Sequence, residues 1–88
     1  MVSWSVVFSR QAVKDLKKLK QASLLSQTRK LLELLQGDPF TTPPRYEKLL
    51  GNLKGFYSRR INIQHRLVYS VNQETHTVHI LRMWTHYE

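Results

Sequence analysis

Eighty-eight residues with 14 Lys+Arg against 6 Asp+Glu carry a formal charge of +8. The length leaves room for one domain over residues 1–88, and 41% hydrophobic residues, with two Trp, four Tyr and three Phe, exclude a disordered basic tail. The absence of cysteine excludes a disulfide scaffold, a Cys-based zinc site and a thiol nucleophile. Apolar runs of only a few residues exclude a transmembrane span, and the early Arg10 argues against a signal peptide. The expectation is a cytoplasmic, strongly basic domain with no membrane partner, and nucleic acid leads its polyanionic partners.

Residues 4–8 (WSVVF) are aromatic and β-branched and predict a first strand. Ser9 stands at an N-cap position before an amphipathic helix. Its apolar stripe is Ala12, Val13, Leu16 and Leu19, and its wet side carries Lys14, Lys17, Lys18 and Lys20. After a break at 20–23, Leu24, Leu25, Thr28, Leu31, Leu32 and Leu35 define a second helix ending at Gln36, with Gly37 at C′. So short a link predicts an antiparallel helical hairpin.

Residues 38–45 hold all three prolines and predict a loop, followed by a short apolar turn at 49–53. Period-two runs at 56–61, 66–71 and 77–84 then predict three antiparallel strands joined by turns at 62–64 and 72–76. The fold class is α+β in the order β-α-α-β-β-β, an antiparallel sheet packed by one face on the N-terminal helical hairpin. Alternation sets Ser58 and Arg60 against Arg59 and Ile61, and it suggests Arg60, Arg66 and Arg82 as a shared basic face.

The four histidines lack metalloprotease spacing, and there is no glycine-rich phosphate loop or serine-nucleophile signature. The remaining groups suit metal-free RNA cleavage, in which the ribose 2′-OH attacks phosphorus and the 5′-oxygen leaves. Glu47 in a loop, Arg60 and Arg66 on strands, and His86 with Tyr87 near the C-terminus supply a carboxylate, two phosphate-binding forks and an imidazole. The same residues also fit a solvated carboxylate beside Lys48 or Arg45, a face that only binds phosphate, and an unstructured tail. His65 reads as structural or substrate-adjacent, and Trp4 and Trp84 as core or sheet-edge aromatics.

The strings Asn52-Leu53-Lys54-Gly55-Phe56-Tyr57-Ser58-Arg59-Arg60-Ile61 and His65-Arg66-Leu67-Val68-Tyr69, with His86-Tyr87, closely resemble the YoeB/Txe family within the RelE/ParE toxin superfamily. Trp4-Ser5, Asp38-Pro39-Phe40, Glu47 and Leu49 fit the same pattern. The resemblance implies the RelE-like fold and the toxin of a type II toxin–antitoxin pair. Its activity would be that of an endoribonuclease cutting mRNA in the ribosomal A site, without cofactor or metal. It implies Glu47 as general base, His86 as general acid and Arg66 as transition-state stabiliser. Arg60 and Tyr87 would bind substrate. The implied partners are mRNA on the ribosome, a small acidic antitoxin and a second copy in a homodimer.

Three features depart from the family pattern. Leu50 stands where the family carries lysine, with Lys48 as the nearest candidate substitute at the substrate. Tyr46 and Lys48 replace prolines around Glu47, and Glu88 follows the His-Tyr pair. A carboxylate there is expected to raise the His86 pKa or perturb Tyr87. Two other readings stay open: a ParE-like toxin without RNase activity, and a non-catalytic basic RNA-binding module.

Overall fold

Ser9 joins the first strand to the first helix and binds both sides of that junction. In the computed structural model, which describes residues 3–43 and 45–84, β1 spans Ser5–Phe8 and α1 spans Arg10–Gln21. The Ser9 hydroxyl accepts from the Ala12 amide at 3.0 Å, the predicted N-cap, and donates to the Leu81 carbonyl at 2.7 Å. Ser23, in the left-handed region at φ 62°, turns the chain into α2 (Leu25–Gly37). The left-handed step expected at Gly37 is absent. The helix runs through it, with the Asp38 amide still bonded to the Leu34 carbonyl at 2.9 Å.

Four further strands follow: β2 (Tyr46–Lys48), β3 (Phe56–Arg60), β4 (Arg66–Asn72) and β5 (Thr77–Arg82), with a 3₁₀ turn at Gly51–Leu53 before β3. The predicted turns form around asparagine side chains. Asn62 Oδ1 accepts from the Gln64 amide, and Asn72 Oδ1 accepts from the amides of Glu74 and Thr75. Gly55, at φ 96°, makes the turn into β3 that a side chain would strain.

The α+β class and the helical hairpin are as expected, but the sheet is mixed and has one more strand. Its order is β1-β5-β4-β3-β2. β1 lies parallel to β5, from Ser5 opposite Thr77 to Phe8 opposite Ile80, and the other pairings are antiparallel. Parallel pairing is open to β1 because the two helices carry the chain to β2 at the far edge, and the antiparallel run β2–β3–β4–β5 walks back until β5 lies beside β1.

The helices cover one face of the sheet. Ala12 and Leu19 of α1 and Leu31 and Leu35 of α2 pack against Leu67, Tyr69, Val78 and Ile80, joined by Ile61 and Met83. The predicted stripe of α1 is shifted: Val13 is 49% exposed, and Asp15 takes the inner position at 0%. That carboxylate is tolerated because it is saturated with donors. Its Oδ2 accepts from the amides of Met83 (3.0 Å) and Trp84 (3.3 Å), Oδ1 accepts from the Gln11 amide group (2.9 Å), and Arg82 Nε lies 3.7 Å away.

Candidate active site

The open face of the sheet is built by alternation. On β3, Ser58 and Arg60 share one side, while Tyr57 and Arg59 turn towards the helices. Register places Glu47 opposite Ser58, and Arg60 opposite Arg66. Four side chains from three strands therefore meet on the uncovered face. The Glu47 Oε1 atom accepts from Arg66 Nη1 at 3.1 Å, and the same Nη1 lies 3.3 Å from Ser58 Oγ. Glu47 is half exposed, whereas the Arg66 side chain is 19% exposed.

Beside this pair lies a cleft of about 360 Å³ lined by Arg45, Glu47, Ser58 and Arg60. With Arg66, three guanidinium groups surround one carboxylate, so the local field is positive. Among the described residues, the Arg66 side chain makes its two contacts through Nη1. A planar guanidinium holds five donors, so its fork can serve a phosphate while it still orients the carboxylate.

Among the expected site residues, the structure brings Glu47, Arg66 and Arg60 together. Glu47 does so from a short edge strand rather than from the expected loop, which gives its direction a structural cause. Lys48, expected at the substrate, is not brought to the cleft. It follows Glu47 on the strand, lies opposite Tyr57 and lines a separate groove with Leu49, Leu50, Lys54 and Phe56. Arg82 lies opposite Val68, but its guanidinium engages Asp15 and the Trp84 carbonyl, so it stands apart from the Arg60–Arg66 pair. His86 and Tyr87 lie outside the described residues.

Sequence reading gave no site role to Arg45 or Ser58. Arg45 lies two residues before Glu47, the spacing that shares a strand face, and that signal is usable only once residues 46–48 are known to be extended. His65 is buried and stacks on Trp84 with ring centroids 3.9 Å apart, which matches its structural reading. Trp4 likewise stacks on His76 at 4.3 Å. Among the described residues, no group of three or more His, Asp or Glu is placed to share a metal ion. No helix there is long and apolar enough to cross a membrane.

A two-helix layer under a mixed five-stranded sheet, with an arginine-lined cleft around one carboxylate on the open face, defines a small basic α+β protein. The chain belongs to the family described as YoeB-like toxin of bacterial type II toxin–antitoxin system, whose family model matches residues 8–87. It is 44% identical to Toxin YoeB of Synechocystis sp. over 48 residues, a match covering 54% of this chain and 56% of that relative. The chain thus aligns with little more than half of that protein. Among solved structures, a YoeB/ParE toxin from Agrobacterium tumefaciens superposes with a TM-score of 0.85 at 25% identity, covering 94% of this chain and 99% of that one. A YoeB–YefM complex from Staphylococcus aureus gives 0.78 at 34% identity, covering 96% and 98% respectively. The Staphylococcus aureus YoeB is also solved as a dimer.

Proposed function

We propose that this protein is a ribosome-dependent mRNA endoribonuclease, the toxin half of a toxin–antitoxin pair, acting in the cytoplasm as one domain over residues 1–88. The observation that carries the reading is the Glu47–Arg66 ion pair at 3.1 Å, set on an open sheet face beside Arg60 and Arg45. Phosphodiester cleavage by the neighbouring 2′-OH needs a base at that hydroxyl and cations at the phosphate, where charge accumulates. In this mechanism Glu47 takes the 2′-OH proton as oxygen attacks phosphorus. Arg66 and Arg60 hold the non-bridging oxygens through parallel N–H bonds. His86 gives a proton to the departing 5′-oxygen, and Tyr87 stacks on or orients the substrate. Each proton is accounted for by a side chain of the protein.

The partners follow from the same charge. The exposed lysines of α1 suit rRNA backbone, and an acidic antitoxin segment suits the arginine-lined cleft. The Staphylococcus aureus relative is solved as a complex with YefM. A homodimer is proposed on the analogy of that relative's dimer.

Expression with translating ribosomes and primer-extension mapping of mRNA ends tests the reading. Wild type is expected to produce cuts within the A-site codon. Glu47→Ala and Arg66→Ala, at equal folded protein, are each expected to lower the cleavage rate by about 10²-fold or more. A wild-type chain that binds ribosomes without cutting, or variants that cut normally, would remove the nuclease assignment.

A further inference from the structure

Directly beneath the cleft, on the helix-covered side, lies a cation that the cleavage chemistry does not use. Arg59 is 1% exposed. Its Nη2 donates to the carbonyls of Pro39 (2.9 Å) and Thr41 (2.8 Å), and its Nε donates to Tyr69 Oη at 3.1 Å. Tyr69 Oη in turn donates to the Pro39 carbonyl at 2.9 Å. The Tyr46 ring lies 5.1 Å from Arg59 Cζ, within cation–π range. Phe40, Tyr46, Tyr57 and Tyr69 close around the group through ring contacts of 5.4 to 5.9 Å, a dry surround in which these bonds are strong.

Tyr46 is the residue before Glu47, and it lies opposite Arg59 in the sheet. β2 is three residues long, stands at the sheet edge and pairs only with β3 among the described strands. Few ladder bonds hold it, and the segment before it has lost three amide donors to proline. We infer that Arg59 and Tyr69 form a clamp that fixes Pro39, Thr41 and Tyr46 from below and thereby positions Glu47 above. A strand residue held downwards at 46 forces its neighbours at 45 and 47 upwards into the cleft. Arg59 can bridge two carbonyls because its fork is planar, which a lysine ammonium does not reproduce. Arg59 and Tyr69 are positioning residues. The inference rests on the nuclease reading only where it concerns catalysis.

Two variants test it: Tyr69→Phe, which keeps the ring and removes the bridging hydroxyl, and Arg59→Lys, which keeps the charge and removes the fork. Hydrogen–deuterium exchange is read at the amides of residues 45–49 and of β1 and β5, alongside kcat and KM for cleavage of ribosome-bound mRNA. Ser9→Ala, which loosens the fold at the opposite edge, is the control for a general loss of stability.

In Tyr69→Phe, exchange at residues 45–49 is expected to rise by about fivefold or more, the worth of one ordinary hydrogen bond, with β1 and β5 unchanged. kcat is expected to fall by about tenfold while KM stays within about threefold, because a displaced base costs rate rather than binding. Arg59→Lys is expected to exceed both effects; should it fail to fold, Tyr69→Phe carries the test alone. Unchanged exchange at 45–49, a rise matched in β1 and β5, or faster exchange with unaltered kcat each overturns the clamp as a positioning device. Should wild type not cleave at all, the nuclease reading falls and exchange alone decides whether the clamp holds Glu47.

Discussion

Tyr69 shows how one buried group links the core to solution conditions. Burial raises its phenol pKa above the ordinary 10.0, and the hydrogen bond and charge of Arg59 offset part of that rise. Between 10.0 and the raised value, the folded chain therefore keeps a proton that the unfolded chain has released. The resulting stability is complete below the unfolded value and is lost as pH climbs through the folded one. Urea unfolding of wild type from about pH 9 to about pH 11 is expected to show a decline at the alkaline end that Tyr69→Phe lacks. Equal declines in both proteins would show that the phenol does not govern alkaline stability. Asp15 is the complementary case, an acid buried with donors arranged around it. Periodicity could not reveal it, because a charged residue within a lysine-rich stretch is read as facing water, and what draws it inward is a pair of amides at the far end of the chain.

At the scale of elements, the junction at Ser9 is the most exactly written in the sequence. The hydroxyl fills two roles at once, capping α1 and binding β5, so Ser9→Ala is expected to lower unfolding free energy by about 1–2 kcal/mol in urea titration. A change below about 0.3 kcal/mol would show that solvent replaces both bonds. α1, α2 and the strands β1, β3, β4 and β5 were legible because each is long enough, or apolar enough, to display its period. β2 was not, since three residues after a proline-rich segment carry no repeat. Its extended form comes from pairing with β3 and from the aromatic cluster behind it. The parallel placement of β1 was illegible for a related reason, because pairing partners far apart in sequence leave no local mark. In the candidate site, Arg60 and Arg66 were legible by alternation and Glu47 by resemblance. Arg45 and the turning away of Lys48 required β2.

At the scale of the molecule, two surfaces concentrate positive charge. Lys14, Lys17, Lys18 and Lys20 are exposed on α1, while Arg45, Arg60 and Arg66 gather on the open side of the sheet. The first group suits diffuse attachment to a polyanion, and the second suits the holding of one phosphate. Changing the four lysines to glutamine is expected to weaken ribosome binding and to flatten its log–log salt dependence by up to about 3. The cleavage rate at saturating ribosomes is expected to stay near that of wild type. Co-sedimentation at several salt concentrations and single-turnover cleavage measure the two effects separately. An unchanged salt slope would place attachment elsewhere.

The parallel seam between β1 and β5 also governs when the protein becomes whole. β1 precedes the other strands in the chain, yet its strand partner among the described residues is Thr77–Arg82, and the Leu81 carbonyl that Ser9 binds arrives with it. Until β5 has emerged during synthesis, the first strand lacks that partner and α1 lacks the Val78 and Ile80 side chains it packs with. The β2–β3–β4 meander that carries the cleft can assemble earlier, but without β5 it cannot join β1 or close over α1. The order of synthesis and the order of assembly therefore run opposite ways at this seam, because the strand made first is the one that waits for β5 to pair.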